Sequence, residues 1–140
     1  MKNIRFVLFA LVVALLATAA RAQETKVRAS VPFDFIVGDR VYSAGEYYLS
    51  SMADNGAVIW IHSTEQATPI HVLSVGCASV NPSAKTKLVF HRMGGQYFLY
   101  QVWIQGQLSG REFPRSRTEV MLAQNHGNPE LVIVAANISH

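Results

Sequence analysis

From residue 31 onward, apolar and polar positions alternate in short runs that turn residues cut at intervals of roughly eight to twelve, the rhythm of a β-sandwich or barrel. Val31, Phe33, Phe35 and Val37 alternate with Pro32, Asp34 and Ile36, which predicts a strand with one strongly apolar face, turned by Gly38-Asp39. Val41-Tyr42 is a short strand. Ala44-Gly45 breaks it, and residues 46–50 continue as another. Asp54-Asn55-Gly56 signals a hairpin turn, because Asn and Gly accept the positive φ that tight hairpins demand. Residues 57–63 and 70–78 predict two further strands, followed by a loop through Asn81-Pro82-Ser83.

The clearest unit is residues 87–93, Gly94-Gly95, then 96–104: two β-rich runs joined by a two-residue turn. With both glycines in the turn, Met93 opposes Gln96, Arg92 opposes Tyr97, His91 opposes Phe98, Phe90 opposes Leu99 and Val89 opposes Tyr100. One face then carries Val89, His91, Phe98, Tyr100 and Val102. The other carries Leu88, Phe90, Tyr97, Leu99 and Trp103. Both faces are apolar, so the hairpin belongs at the centre of the sheet, either covered on both sides or lining the inside of a barrel with one face and packing outside with the other.

Ser116-Arg117-Thr118-Glu119 matches a capping box and predicts a short helix over 116–124. Asn125-His126-Gly127-Asn128-Pro129 stops it. Arg117 in the first turn opposes the helix dipole. Residues 131–136 are a β-branched run that closes the fold. The expectation is therefore an all-β domain of about eight strands with one short helix, built as a small antiparallel barrel or a two-sheet sandwich.

The N-terminus departs from this rhythm. Lys2 and Arg5 precede an unbroken apolar run over residues 6–17, and Ala20-Arg21-Ala22 ends it with small residues two apart. That layout predicts a secretory signal peptide over residues 1–22, cleaved after Ala22. Its apolar run of about a dozen residues is shorter than the roughly 20 a membrane helix needs. Residues 23–140 then form a single exported domain, periplasmic or extracellular, with no transmembrane segment. Gln23 stands where a bacterial lipoprotein would carry its cysteine.

Charge changes meaning with the leader removed. The chain has 12 Lys and Arg against 9 Asp and Glu. Lys2, Arg5 and Arg21 leave with the signal, so the exported domain has 12 − 3 = 9 basic against 9 acidic residues, a net charge of zero. The basic balance belongs to the precursor and gives no argument for nucleic acid or anionic lipid. A domain near zero net charge favours association, if only with itself. The single Cys77 makes no internal disulfide and reads first as a small hydrophobe in a strand.

Candidate chemistry is sparse. His62, His71 and His91 lie on separate strands with no close pair and no acid to complete a metal site, so no metal or cofactor is expected. Gln105-Gly106-Gln107-Leu108-Ser109-Gly110 lacks the spacing of a nucleophile elbow and reads as a turn. Asp34, Asp39 and Glu46 read as solvated positions around one hairpin. No catalytic constellation emerges, and no enzyme is expected. Arg111, Arg115 and Arg117, beside Glu112 and Glu119, form the one dense charge cluster. Three guanidinium groups near a helix N-terminus suit a phosphate, sulfate or carboxylate; a solvated loop with weak local ion pairs is the alternative. The aromatics Tyr42, Tyr47, Tyr48, Trp60, Tyr97, Tyr100 and Trp103 divide between core pairs and a platform for glycans or an apolar ligand.

Val31-Pro32-Phe33-Asp34-Phe35-Ile36-Val37-Gly38-Asp39, followed by Ser43-Ala44-Gly45-Glu46-Tyr47, resembles a family of small exported bacterial proteins whose pattern runs PF-x-F-x-V-G and then P-A-G-x-Y. Ser43 stands where that pattern has Pro. Residues 87–92, 97–99 and 110–117 are similar to the same family, and the resemblance implies no activity, substrate or cofactor. The functional expectation is an exported, non-enzymatic β domain that binds an envelope or surface component or associates with itself. The alternative is a small barrel holding an apolar or anionic small ligand, with Arg111, Arg115 and Arg117 at its mouth.

Overall fold

The computed structural model describes residues 3–4, 25–51, 56–66 and 68–139. Apart from residues 3–4, the expected leader lies outside these, as do Asp54 and Asn55 of the expected turn. In chain order the strands are β1 (Lys26–Val31), β2 (Phe35–Val37), β3 (Arg40–Tyr42), β4 (Gly45–Ser51), β5 (Val58–Ser63), β6 (Ile70–Leu73), β7 (Val75–Ala78), β8 (Lys87–Met93), β9 (Gln96–Trp103), β10 (Ser109–Glu112) and β11 (Glu130–Ser139). One helix of ten residues, α1 (Arg117–His126), precedes β11. Among the described residues no helix is long and apolar enough to cross a membrane.

The strands form one sheet in the order β3-β2-β9-β8-β11-β1-β4-β5-β6, with β10 beside the far half of β9 and β7 beside β10. The sheet curls into a half-barrel whose end strands, β3 and β6, do not pair. The all-β expectation holds, while closed barrel and two-sheet sandwich are both corrected to an open curled sheet of eleven strands. Three local breaks raise the count. Pro32 has no N–H to give a ladder, so the expected 31–37 strand splits. The chain leaves β1 and returns as β2 beside β9 in the opposite wall. The expected 70–78 strand splits at buried Ser74, whose N–H and hydroxyl donate to Ala57 O and Gly56 O, both at 2.8 Å. The charged loop contains β10.

β11 joins the two walls. Residues 130–135 pair with β8, while residues 136–139 pair with β1. Inside the curl, Val27, Ala29, Val31, Leu49 and Ile61 meet Leu88, Phe90, Leu99 and Val134. Phe90 is fully buried, edge-on to Phe33 and Phe35 with ring centroids 5.1 and 5.5 Å away. Phe33 stacks on Tyr97 at 3.8 Å. Aromatic rings thus fill the interior between residues 33–37 and the hairpin.

The hairpin lies mid-sheet and pairs as expected from Met93↔Gln96 through Phe90↔Leu99. A β-bulge between Val89 and Phe90 then sets Val89 opposite Gln101 instead of Tyr100. One extra residue on β9 exchanges the faces beyond it. Val102 therefore joins Leu88 in the core cluster, while Trp103, buried outside that cluster, packs against Gly110 of β10, contrary to the assignment of those two residues by simple alternation.

Gly110 shows how closely β10 lies on that ring. A Cβ there would sit 2.8 Å from Trp103 Cδ2 and Cε3 and 2.8 Å from the Val102 carbonyl oxygen. Gly110→Ala is expected to lower stability by about 1–3 kcal/mol, because backbone must move to admit one methyl. Urea unfolding checks this: the midpoint should fall at constant slope, and a wild-type midpoint would contradict it.

The helix starts as predicted and runs two residues further. Ser116 Oγ accepts the Glu119 N–H at 3.0 Å, and Gly127 at φ 78° ends the helix with its N–H on Ala123 O. The reciprocal half of the capping box is diverted. Glu119 instead turns onto the sheet, where its Oε1 lies 2.6 Å from His91 Nδ1.

Candidate functional site

The two end strands of the sheet flank a cleft of about 810 Å³. One side is the β2–β3 turn with Arg40 and Tyr42, the other is β6, and residues 114–117 leading into α1 run along it. The cleft follows from the topology. The Gly38-Asp39 turn, with Gly38 at φ 60°, folds β3 outward from β2, and among the described residues no further strand pairs with the outer side of β3 or β6.

Charge in the cleft is one-sided. Arg40, Arg115 and Arg117 line it together with His71, against the single carboxylate of Asp39. Among the described residues Arg40 and Arg117 form no ion pair. Arg115 Nε lies 4.0 Å from Glu119 Oε1, with a half-exposed side chain. Tyr42 forms part of the wall at 2% exposure, stacked on Phe35, and its hydroxyl oxygen is buried with no hydrogen-bond partner. Such a group costs about 1–3 kcal/mol when left unsatisfied. Three guanidinium groups and the N-terminal end of α1 give the cleft a positive electrostatic character.

The predicted arginine trio divides. Arg115 and Arg117 line the cleft. Arg111 is fastened elsewhere: its Nε donates to Ser74 Oγ at 3.0 Å and its Nη2 to Ser74 O at 2.8 Å, pinning β10 to the β6–β7 corner. Arg40, His71 and Tyr42 take their places in the cleft unforeseen. No spacing connects residues 40–42 with 115–117, because only the parallel placement of β2 beside β9 brings β3 there.

The histidines occupy three different surroundings. His62 stacks on Tyr48 at 5.3 Å, His71 on Trp60 at 4.9 Å, and His91 on Tyr100 at 3.8 Å beside Glu119. Arg28 pairs with Glu46 and lies over the Tyr48 ring. Cys77 is half-buried in β7, and burial, with Glu112 next, pushes its thiol up, away from the thiolate a nucleophile needs.

Burial also raises three phenols. Tyr42 is raised against the opposing pull of Arg40, Tyr47 donates to Ser43 O at 2.6 Å, and Tyr100 is raised further by Glu112. The folded chain therefore keeps these protons longer than the unfolded chain. The stability they contribute is complete below about pH 10 and is lost as pH rises through the folded values. Urea midpoints should fall above about pH 10, and a flat series to about pH 11 would contradict the burial argument.

Comparison of the chain with family models, with curated proteins and with solved structures finds no match.

Proposed function

We propose that residues 23–140 are an exported, non-enzymatic binding domain whose cleft between β3 and β6 takes an anionic group, carboxylate or phosphate, of an envelope component. The observation that carries this reading is the placement of Arg40, Arg115 and Arg117, from separate segments, along one cleft with a single opposing carboxylate. A guanidinium matches carboxylate and phosphate geometry with two parallel N–H donors, which gives direction as well as charge. The aromatic filling of the interior supports binding at the surface over an enclosed ligand.

Citrate and inorganic phosphate are suitable first probes. Titration into the 15N-labelled domain should shift amide signals of residues 38–42, 71–73 and 115–118, with affinity falling as salt rises. Arg40→Ala, Arg115→Ala and Arg117→Ala should each weaken binding about tenfold, as expected for loss of one charge-assisted contact. Shifts elsewhere, or affinities unchanged in all three variants, would overturn the reading. Light scattering on the same samples tests self-association through the open edges, where Val41 and Leu73 are 71% and 69% exposed.

A further inference from the structure

A second depression lies on the outer side of the sheet. Register aligns Lys26 of β1, Ser50 of β4, Trp60 of β5 and His71 of β6 in one cross-strand row. These residues alternate with Val27, Leu49, Ile59 and Val72, which face the core or pack against it, so the row lies on the opposite face. Ser50 is the small member between two long neighbours, and over it opens a pocket of about 450 Å³ walled by Lys26, Trp60, His62, Thr64 and Gln66. Trp60 Nε1 is buried and has no acceptor. One face of the indole is covered by His71, at 4.9 Å and 18° between planes.

The chemistry of these walls selects a ligand class. Backbone groups of β1, β4 and β5 are engaged in the ladders, so a peptide adding as a strand finds no edge here. An apolar ligand would cover Gln66 and the hydroxyls of Ser63 and Thr64 with no return. A pyranose ring fits both demands. Its C–H face packs on an aromatic ring, and its hydroxyls meet ammonium, amide, imidazole and hydroxyl side chains. The pocket adjoins the anion cleft. Pro69 lines both, and His71, stacked on Trp60, lines the cleft.

We infer that the pocket over Ser50 is a sugar subsite, and that the bound component is an acidic polysaccharide running from Trp60 past Pro69 to the cleft arginines. This inference rests on the anion reading of the cleft and adds the identity of what carries the charge. One sugar packs over Ser50 against Trp60, and a carboxylate of a neighbouring sugar meets Arg40, Arg115 or Arg117.

The test compares tetragalacturonate, its methyl ester and citrate on residues 23–140, by calorimetry and tryptophan fluorescence. Tetragalacturonate should bind about tenfold tighter than citrate, as one ring stack and its hydrogen bonds would provide, and should perturb Trp60 emission. The methyl ester should perturb the same emission at lower affinity. Trp60→Leu and Gln66→Ala should remove the advantage over citrate and leave citrate affinity intact; Gln66→Ala and Trp60→Phe carry the test should Trp60→Leu not fold. Tetragalacturonate binding no tighter than citrate, or binding tighter yet untouched by these variants, overturns the sugar subsite while the anion cleft stands. Absence of binding by both citrate and phosphate overturns the cleft reading and this inference with it.

Discussion

His91→Ala is expected to lower folding stability by about 3–5 kcal/mol, the cost of leaving the buried Glu119 carboxyl without its partner. His91 Nδ1 and Glu119 Oε1 lie 2.6 Å apart with both side chains 4% exposed. The imidazole also stacks on Tyr100, so its removal opens a gap beside a ring. Glu119 would then keep only Arg115, at 4.0 Å, a distance at which an ion pair gives little. Because the pair fastens α1 to β8, the loss should reach the cleft. Arg115 and Arg117 flank the N-terminal end of that helix, and citrate affinity should fall although His91 does not line the cleft. Replacing both partners, as His91→Leu with Glu119→Leu, should recover most of the loss, since two apolar groups leave nothing unsatisfied. Urea unfolding at pH 7 of wild type, His91→Leu, Glu119→Leu and the double variant closes the cycle. A single-variant loss under about 1 kcal/mol would show that α1 docks without the pair.

That pair also marks the limit of what the chain discloses before it folds. His91 reads as one residue on an apolar face and Glu119 as the last member of a capping box; each assignment is locally sound. Neither shows that the carboxylate leaves its own helix terminus for a histidine 28 positions earlier. The hairpin over 87–104 was legible because a period of two and two glycines leave one register, and the structure keeps it for four pairs. The bulge at Val89/Phe90 was not, since one extra residue leaves no mark on composition. Pro32 carried a readable signal, a missing donor inside a strand pattern, and it does end β1. Ser74 carried none, because its role depends on Gly56, Ala57 and Arg111 arriving from elsewhere.

The cleft arises from the same kind of long-range placement. Local patterning predicted Ser116 as the helix start and grouped Arg115 and Arg117 beside it, and both arginines line the cleft. Arg111 looks equivalent in sequence. Alternation within β10 sends it the other way, onto the corner at Ser74. Whether eleven strands close or stay open depends on curl and end-strand contacts, which no hydrophobic period encodes. The gap between β3 and β6 was therefore beyond reach of the sequence, although two of its three arginines, Arg115 and Arg117, were legible there.

Phe90→Ala is expected to cost about 3–5 kcal/mol, a large fraction of the roughly 5–15 kcal/mol that holds a domain together. Phe90 has no exposed surface, and its ring is held edge-on by Phe33 and Phe35. Those two rings belong to the crossing from β1 to β2, so Phe90 joins the hairpin to the segment that carries β3. Truncation removes both edge contacts at once, and the surrounding strands, fixed by their ladders, relax only in part. The same variant separates surface binding from interior binding. With the ligand in the cleft, citrate affinity of the folded fraction, measured at low temperature, should stay within about twofold of wild type, because β3 keeps its ladder to β2 and α1 keeps its cap and its Glu119–His91 contact when the Phe90 ring is removed. With a ligand enclosed beneath the hairpin, the new cavity would lie against it and affinity would change sharply. Loss of citrate binding in folded Phe90→Ala protein, together with indifference to Arg115→Ala and Arg117→Ala, would move the site from the seam of the sheet to its interior. Retained binding at a lowered urea midpoint would place stability in the aromatic core and recognition at the open edge.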